Sequence, residues 1–256
     1  DKIEYSFFQS GGDAVSALIA GAVDVAAVGD NPALRARSRD PKVVLLSFDS
    51  VNSDMQIIGA RGGPPTNIQG AGRQEHHRTA GNHPRPHRAP AHRAAGLTGK
   101  IDVKDVPTPE SIAGLSSGQI DATVLSGASS VDLQQKGYPP VIDSLSRHGM
   151  GSTGTNIALT SFTDGHPDFR AAWQRAITAV NGDIRNHFDD YLHWVADTDG
   201  SKFEYVKQST QADEFNTEPF PPQIGVKQLQ DAYDFLNADG SLAGQYSVDE
   251  WIGAKP

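Results

Sequence analysis

The sequence predicts an α/β fold with two similar lobes. Two observations lead to this prediction: a repeated local pattern and polar residues after each predicted strand. Residues 14–29 read AVSALIAGAVDVAAVG, and residues 112–127 read IAGLSSGQIDATVLSG. In each copy an apolar helix ends at a glycine suited to a left-handed turn, and a short apolar strand follows. Helix, turn and strand form half of a βαβ unit, so two copies predict two Rossmann-like lobes. Such half-units also occur in doubly wound proteins with a single sheet.

Small polar residues follow both predicted strands. In open α/β sheets ligands bind beyond the carboxyl ends of the strands, and two lobes with facing strand ends enclose a cleft. Asp30 would take an ammonium or hydroxyl group of the ligand, or would cap the helix starting at Pro32. The residues predicted to bind the ligand at these strand ends are Gly29, Asp30 and Asn31 in the first lobe and Ser126 and Gly127 in the second.

Three other polar stretches complete the predicted site. The first stretch, Ser10 to Gly12 (Ser10, Gly11 and Gly12), precedes an apolar helix, where it would cap the helix or leave backbone N–H groups free for an anion. The second contains Ser50 and Asn52, which would donate hydrogen bonds to an oxyanion or stabilise their own turn. The third contains Ser152 and Thr153 and lies where the chain is expected to return between the lobes.

Apolar spacing predicts the remaining elements. A long helix is expected after Pro167, with shorter helices at 14–20 and 226–236. Tyr246 and Trp251 in the tail are predicted to pack back on the first lobe. Strands are predicted at 25–28, 43–48, 55–60, 101–106, 122–125 and 156–160.

Composition excludes several classes of function. The formal net charge of -9 argues against nucleic acid as a partner, because binding to phosphates needs a basic face. The chain has no cysteine, which excludes thiol catalysis, disulfides and thiolate metal sites. No apolar run is long enough to span a membrane, and no G-x-S-x-G nucleophile motif occurs. We therefore predict no enzyme activity, no metal and no cofactor.

Three groups of residues, in their order and spacing, resemble the nitrate/sulfonate/taurine-type solute-binding proteins of ABC importers, close to the aliphatic sulfonate-binding branch. The first group matches the family pattern AL..G..D....G..P, and the third is followed by the long helix. The resemblance covers most of the chain outside residues 61–94. The groups are Ala17, Leu18, Gly21, Asp24, Gly29 and Pro32; Ala95–Leu97, Val103, Val106 and Ser117–Ala122; and Phe162–Pro167.

The resemblance implies a periplasmic-binding-protein fold of type II, in which two crossing strands join the lobes. Crossings near Ala60 and Asn156 would make residues 1–60 and 156–256 the first lobe and residues 61–155 the second. The family's first strand and helix, and a signal segment, are expected to be missing ahead of Asp1.

The implied function is the extracytoplasmic binding component of an ABC importer, periplasmic or a lipid-anchored lipoprotein. It would act as a monomer, bind a small anion such as an aliphatic sulfonate, taurine or nitrate, and deliver that anion to permease subunits. The alternative is an enzyme on the same fold, similar to a desulfinase or to proteins of thiamine-pyrimidine synthesis. The known members of that kind use a cysteine, which this chain lacks.

Residues 61–94 do not fit a folded α/β lobe. They hold five of the nine histidines but have no apolar periodicity. A His-rich metal loop and a basic arm for nucleic acid are two interpretations, and neither is supported by ligand spacing or by the acidic chain. The third is a shifted reading frame. Gln74 to His77 require codons that, read one nucleotide later, encode Lys or Arg, then Asn or Ser, then Ile or Thr. The shifted stretch approaches the family's strand and Gly-Ser/Thr turn, so we favour this interpretation. The five histidines are His76, His77, His83, His87 and His92.

Overall fold

The computed structural model describes residues 3–8, 10–62, 106–238 and 240–253. The His-rich stretch with its proposed shifted frame, and all but the last residue of the predicted strand at 101–106, lie outside the described residues. The chain divides into two compact units. The first comprises Asp1–Ser53, Ser152–His187 and Ala212–Pro256, and the second comprises Asp54–Gly151 and Phe188–Gln211.

Sixteen α-helices and β-strands are described, and helices dominate. In chain order they are α1 (Gly11–Ile19), β1 (Val25–Gly29), α2 (Asp30–Arg39), β2 (Val43–Ser53), β3 (Gln56–Gly59), α3 (Thr108–Ser117), β4 (Ala122–Leu125), α4 (Gly127–Gln135), β5 (Pro140–Ile142), β6 (Ser152–Leu159), α5 (Thr160–Gly165), α6 (Phe169–Asn186), α7 (Phe188–Asp199), α8 (Phe203–Ser209), α9 (Gln223–Ala238) and α10 (Val248–Gly253).

Each unit contains its own small sheet. The first sheet has the order β1-β6-β2, and β6 runs antiparallel to both neighbours. The second has the order β4-β3-β5, and β3 runs antiparallel to both neighbours. Helices accompany both sheets, which confirms the prediction of a two-lobed α/β fold.

The sequence repeat has the same local structure in both units. Gly21 follows α1 with a φ of 72°, and Gly118 follows α3 with a φ of 76°, so both adopt the left-handed conformation predicted for them. The N–H of Ala22 donates to the Ala17 carbonyl at 2.9 Å, and the N–H of Gln119 donates to the Gly114 carbonyl at 2.8 Å. These bonds close each helix and direct the chain into the following strand.

The tail packs on the first unit, as predicted. Trp251 is fully buried, and its indole Nε1 donates to the Val43 carbonyl oxygen at 3.0 Å. Tyr246 contacts Trp251 edge-on with ring centroids 5.7 Å apart, and burial raises the pKa of its phenol. A paired indole N–H removes the cost of burying a polar group, so this aromatic pair can close the core.

The compact units differ from the predicted lobes in two respects. The divisions between the units fall at 53/54 and 151/152, whereas the crossings were predicted near Ala60 and Asn156; β2 and β6 pair over almost their whole lengths. Residues 188–211, predicted in the first lobe, belong to the second unit. The physical reason is a small core in which Leu192, Ala196 and Val206 of α7 and α8 are buried together with Ala128 of α4 packed against them. The chain therefore passes between the units four times rather than twice.

Candidate functional site

Most of the predicted site residues of the first unit lie at one edge of its sheet. The carboxyl ends of β1 and β2 meet the start of β6 there. Gly29 pairs with Gly154, Ser50 also pairs with Gly154, and Ser53 pairs with Ser152. We call this place the first-unit edge. It collects the following predicted residues: Gly29, Asp30, Asn31, Ser50, Asn52, Ser152 and Thr153.

Asp30 is the central residue of the first-unit edge. It is 5% exposed and starts α2 directly after β1. Its Oδ1 accepts from the backbone N of Asn31 at 2.6 Å and from Asn31 Nδ2 at 3.0 Å. Its Oδ2 accepts from the backbone N of Thr153 at 3.3 Å. The carboxylate thus bonds backbone N–H groups of two elements and fixes the start of α2 against β6.

Two polar atoms beside Asp30 are buried without a partner among the described residues. They are Oδ1 of Asn31 and Oγ1 of Thr153. Thr153 as a whole is 1% exposed. A buried acceptor or hydroxyl that bonds neither protein nor water loses its hydration without compensation, which is why such atoms are rare. Among the described residues, these two atoms are therefore unpaired hydrogen-bonding groups.

Ser10 acts as a helix cap. Its Oγ accepts from the backbone N of Asp13 at 3.1 Å and donates to Asp13 Oδ2 at 2.8 Å. Gly11 lies close to α2, since a β-carbon built on it would stand 2.8 Å from Pro32 Cγ, whereas Gly12 faces only Ser10 Oγ, at 3.6 Å. Because the hydroxyl and carboxylate already bond each other, an anion would meet a negative charge here. The capping interpretation therefore accounts for Ser10, and Gly11 serves close packing.

Asn52 is held by a residue far away in the sequence. Its φ of 53° is left-handed, which suits asparagine better than most residues. Its backbone N donates to Gln228 Oε1 at 2.9 Å, and its Oδ1 accepts from Gln228 Nε2 at 3.1 Å. This pair of bonds supports the turn interpretation. The sequence carried no signal for Gln228, because its place in α9 becomes meaningful only in the folded chain.

Ser50 belongs to a polar cluster that also contains a carboxyl group. Its Oγ accepts from the backbone N of Gly154 at 3.1 Å and lies 3.4 Å from Asp49 Oδ1. Burial raises the pKa of Asp49, and hydrogen bonds from Ser50 oppose this effect. Sequence reasoning missed Asp49, although it stands directly before Ser50 in the polar end of β2.

The raised pKa of Asp49 makes a prediction about pH. The folded protein keeps this proton to higher pH than the unfolded chain, so the stability contributed by the group falls as pH rises above 3.8 through the folded-state pKa. Asp49→Asn should therefore have a higher melting temperature than the wild type at pH 7.5. The difference should shrink toward zero near pH 3.5. Thermal unfolding of both proteins across this range tests it, and a constant difference would contradict it.

In the second unit, the start of α4 is open, which here means that its N-cap side chain makes no capping hydrogen bond. Ser126 is the N-cap, with extended backbone (φ -121°, ψ 168°), but its side chain makes no capping bond. Gly127 follows with a φ of 61°, and a β-carbon there would meet nothing within 4 Å. The first turn of α4 has no acidic residue, unlike those of α1 and α2. Free N–H groups, an exposed hydroxyl and the helix dipole all favour negative charge at this position.

Within the described ranges, no group of three or more His, Asp or Glu side chains could hold a metal ion. No described helix is long and apolar enough to cross a membrane.

Comparison with solved structures defines the class of fold: the chain has the fold of the periplasmic binding proteins. It is similar to the periplasmic aliphatic sulphonate binding protein SsuA from Escherichia coli, with a TM-score of 0.70 and 16% identity over 96% of this chain and 80% of that one. It is also similar to the alkanesulfonate-binding protein SsuA from Xanthomonas axonopodis pv. citri bound to MOPS, with a TM-score of 0.75 and 15% identity over 98% and 87% of the two chains.

A desulfurization enzyme has the same fold. A mutant of DszB in complex with biphenyl-2-sulfinic acid has a TM-score of 0.68 and 16% identity, covering 94% of this chain and 86% of that one. No protein-family model and no curated protein matches the sequence. At such low identities the likeness establishes the fold, and one fold carries both binding proteins and enzymes.

Proposed function

We propose that this protein is the extracytoplasmic solute-binding component of an ABC importer and that it binds a small anion of the aliphatic sulfonate class. The observation that carries the proposal is the open start of α4 on a fold similar to two sulfonate-binding proteins. Backbone N–H groups can bind an anion without a basic side chain, which suits a chain with a net charge of -9. We expect a monomer that delivers its solute to permease subunits.

The enzyme alternative is favoured by one observation, the similarity to DszB. Against it, the chain has no cysteine and so cannot form a thiolate nucleophile. The first-unit edge also has no histidine among its described contacts that would serve as a general base for Ser50 or Ser152. A binding protein should return its solute unchanged, and an enzyme should not.

Isothermal titration calorimetry with small anions tests the proposal. The ligands are methanesulfonate, ethanesulfonate, taurine and nitrate, and dimethyl sulfone is the uncharged control of similar shape. We expect at least one sulfonate to bind and to raise the melting temperature. A ligand present at about 100 times its Kd stabilises the folded state by about 2.7 kcal/mol. Dimethyl sulfone should not bind, because it lacks the charge that the helix start favours.

Chromatography of the solute after long incubation with the protein separates the two functions. Full recovery of the sulfonate, and of benzenesulfinate incubated in parallel, supports a binding protein. Hydrolysis of the sulfinate (R–SO2⁻ + H2O → R–H + HSO3⁻) with release of sulfite would favour the enzyme. If neither sulfonates nor nitrate bind and no sulfite appears, the proposed function is wrong.

A further inference from the structure

The helix α7 buries one side and exposes a tryptophan on the other. Leu192 and Ala196 are buried together with Val206 of α8. At about 100° per residue, Trp194 lies on the opposite side of the helix from Leu192. Its side chain is 62% exposed, whereas Trp251 is fully buried. A tryptophan left in water offers a large apolar surface of the kind that is enriched where proteins bind partners.

The ring of Trp194 is supported by a neighbour one turn earlier in α7. The ring centroids of Tyr191 and Trp194 lie 6.0 Å apart, and the ring planes are inclined by 33°. Aromatic pairs at this separation attract each other. Tyr191 in turn packs against the small core that contains Leu192 and Val206. The indole therefore loses less side-chain freedom when a partner contacts it, which lowers the entropic cost of binding.

Two carboxylates flank this tryptophan. Asp190 precedes Trp194 by four residues and Asp197 follows it by three, so both are its neighbours on the helix surface. Both are exposed, and within the described ranges neither forms an ion pair, whereas Asp189 pairs with Lys207 at 3.5 Å. The α7 sequence contains no Lys or Arg. We call Asp190, Trp194 and Asp197 the α7 outer face.

The chemistry of the α7 outer face selects an arginine. An indole ring attracts cations to its face, and the two carboxylates add negative charge beside it. A guanidinium group stacks flat on an aromatic ring and donates paired hydrogen bonds to a carboxylate, which an ammonium group cannot do. The same carboxylates repel the phosphates of nucleic acids and of anionic lipids. A single helix face does not enclose a small molecule, so the arginine has to be held by a larger partner.

We propose that the α7 outer face is a docking surface for a protein segment that presents an arginine side chain. In this contact the guanidinium group stacks on Trp194, and Asp190 and Asp197 accept its N–H groups. The proposal goes beyond the proposed function, since anion binding at the start of α4 makes no use of these three residues.

Nuclear magnetic resonance with a model peptide tests the proposal. The probe is a short synthetic peptide with three arginines separated by glycines, and its lysine counterpart and free L-arginine are compared with it. The chain has three tryptophans, so the full-length protein gives three indole N–H signals. The signal of Trp194, identified by its loss in Trp194→Leu, should move on titration, and those of Trp173 and Trp251 should not. The lysine peptide should bind several-fold more weakly, and free L-arginine more weakly still.

Two aspartates of α7 provide a matched pair of variants. Asp197 and Asp199 are both exposed, and replacing either by asparagine removes the same charge, but Asp199 lies about 140° around the helix from Trp194. Asp197→Asn should weaken binding of the arginine peptide about threefold, as expected for one exposed ion pair. Trp194→Leu should weaken it about fivefold. Asp199→Asn should leave it unchanged. Far-UV circular dichroism checks that each variant is folded, and if Trp194→Leu is not, the aspartate pair still decides.

Four results would overturn the proposal. The first is a Trp194 signal that does not move with the arginine peptide. The second is equal weakening by Asp197→Asn and Asp199→Asn, because the peptide would then respond only to net charge. The third is free L-arginine binding as tightly as the peptide, which would indicate a small-molecule site. The fourth is a dimer of the protein alone in sedimentation that Trp194→Leu abolishes, because a second copy of the chain would then cover this face.

Discussion

Ser126→Asp should weaken sulfonate binding by about 100-fold and at the same time stabilise the protein. The backbone at Ser126 already has N-cap geometry, but the serine makes no capping bond. An aspartate there would accept the free N–H groups of α4 itself and would gain about 0.5–1 kcal/mol from capping and from the helix dipole. Its negative charge would then stand where we propose that the anion binds, at a cost of a few kcal/mol at short range.

The expected loss of affinity and gain of stability make this prediction informative, because a damaged fold would lose stability and affinity together. Ser126→Ala is the control: it should leave the melting temperature unchanged, since no bond is lost, and weaken binding by less than about tenfold. Calorimetry with ethanesulfonate and thermal unfolding measure the two effects. Wild-type affinity in Ser126→Asp would exclude the start of α4 as the anion site.

Gly154→Ala should destabilise the first unit by about 1–3 kcal/mol, the range typical of forced overpacking. A β-carbon at Gly154 would overlap Asp49 Oδ1 outright and would stand 2.5 Å from Ser50 Oγ. The side chains of Asp49 and Ser50 would have to turn away, and the hydrogen bond from the Gly154 N–H to Ser50 would be lost.

The register of the sheet provides a matched control. Gly29 pairs directly with Gly154, but a β-carbon at Gly29 would meet nothing within 4 Å. Gly29→Ala should therefore cost less than about 1 kcal/mol, mainly because glycine is the better N-cap residue. Urea unfolding of both variants, followed by circular dichroism, compares them. Equal losses would show that the contact with Asp49 is not the cause.

Local structure could be predicted from the sequence because local rules decide it. Gly21 and Gly118 had to adopt left-handed turns, since each ends an apolar helix immediately before an apolar strand. The same reasoning predicted β1 and β4, but it did not predict the helix α4 that begins directly after β4. For Ser10 the sequence left two interpretations, and only the bonds between Ser10 and Asp13 favour the capping one.

Features that depend on distant contacts could not be predicted. The apolar positions of α7 predict a buried helix face but not which unit buries it. The sequence placed these residues in the first lobe, whereas they pack with the second unit. The hydrogen bond from the Thr153 backbone N–H to Asp30 joins residues that are 123 apart in the sequence, and no local sequence pattern predicts it. The unpaired atoms of Asn31 and Thr153 lie beside that contact and were equally hidden. Asp30 had been expected either to bind a ligand group or to cap a helix, and its bonds to the N–H groups of Asn31 and Thr153 fix the start of α2 against β6.

The bonds between Asn52 and Gln228 span 176 residues and have a consequence for biosynthesis. During translation β2 leaves the ribosome long before α9 does, so for most of synthesis the turn after β2 has no partner to hold its left-handed backbone. The polar edge that this turn completes can take its final shape only when the last part of the chain has emerged. Nascent chains stalled before residue 223 should therefore be unable to retain a solute, however well their first strands have paired.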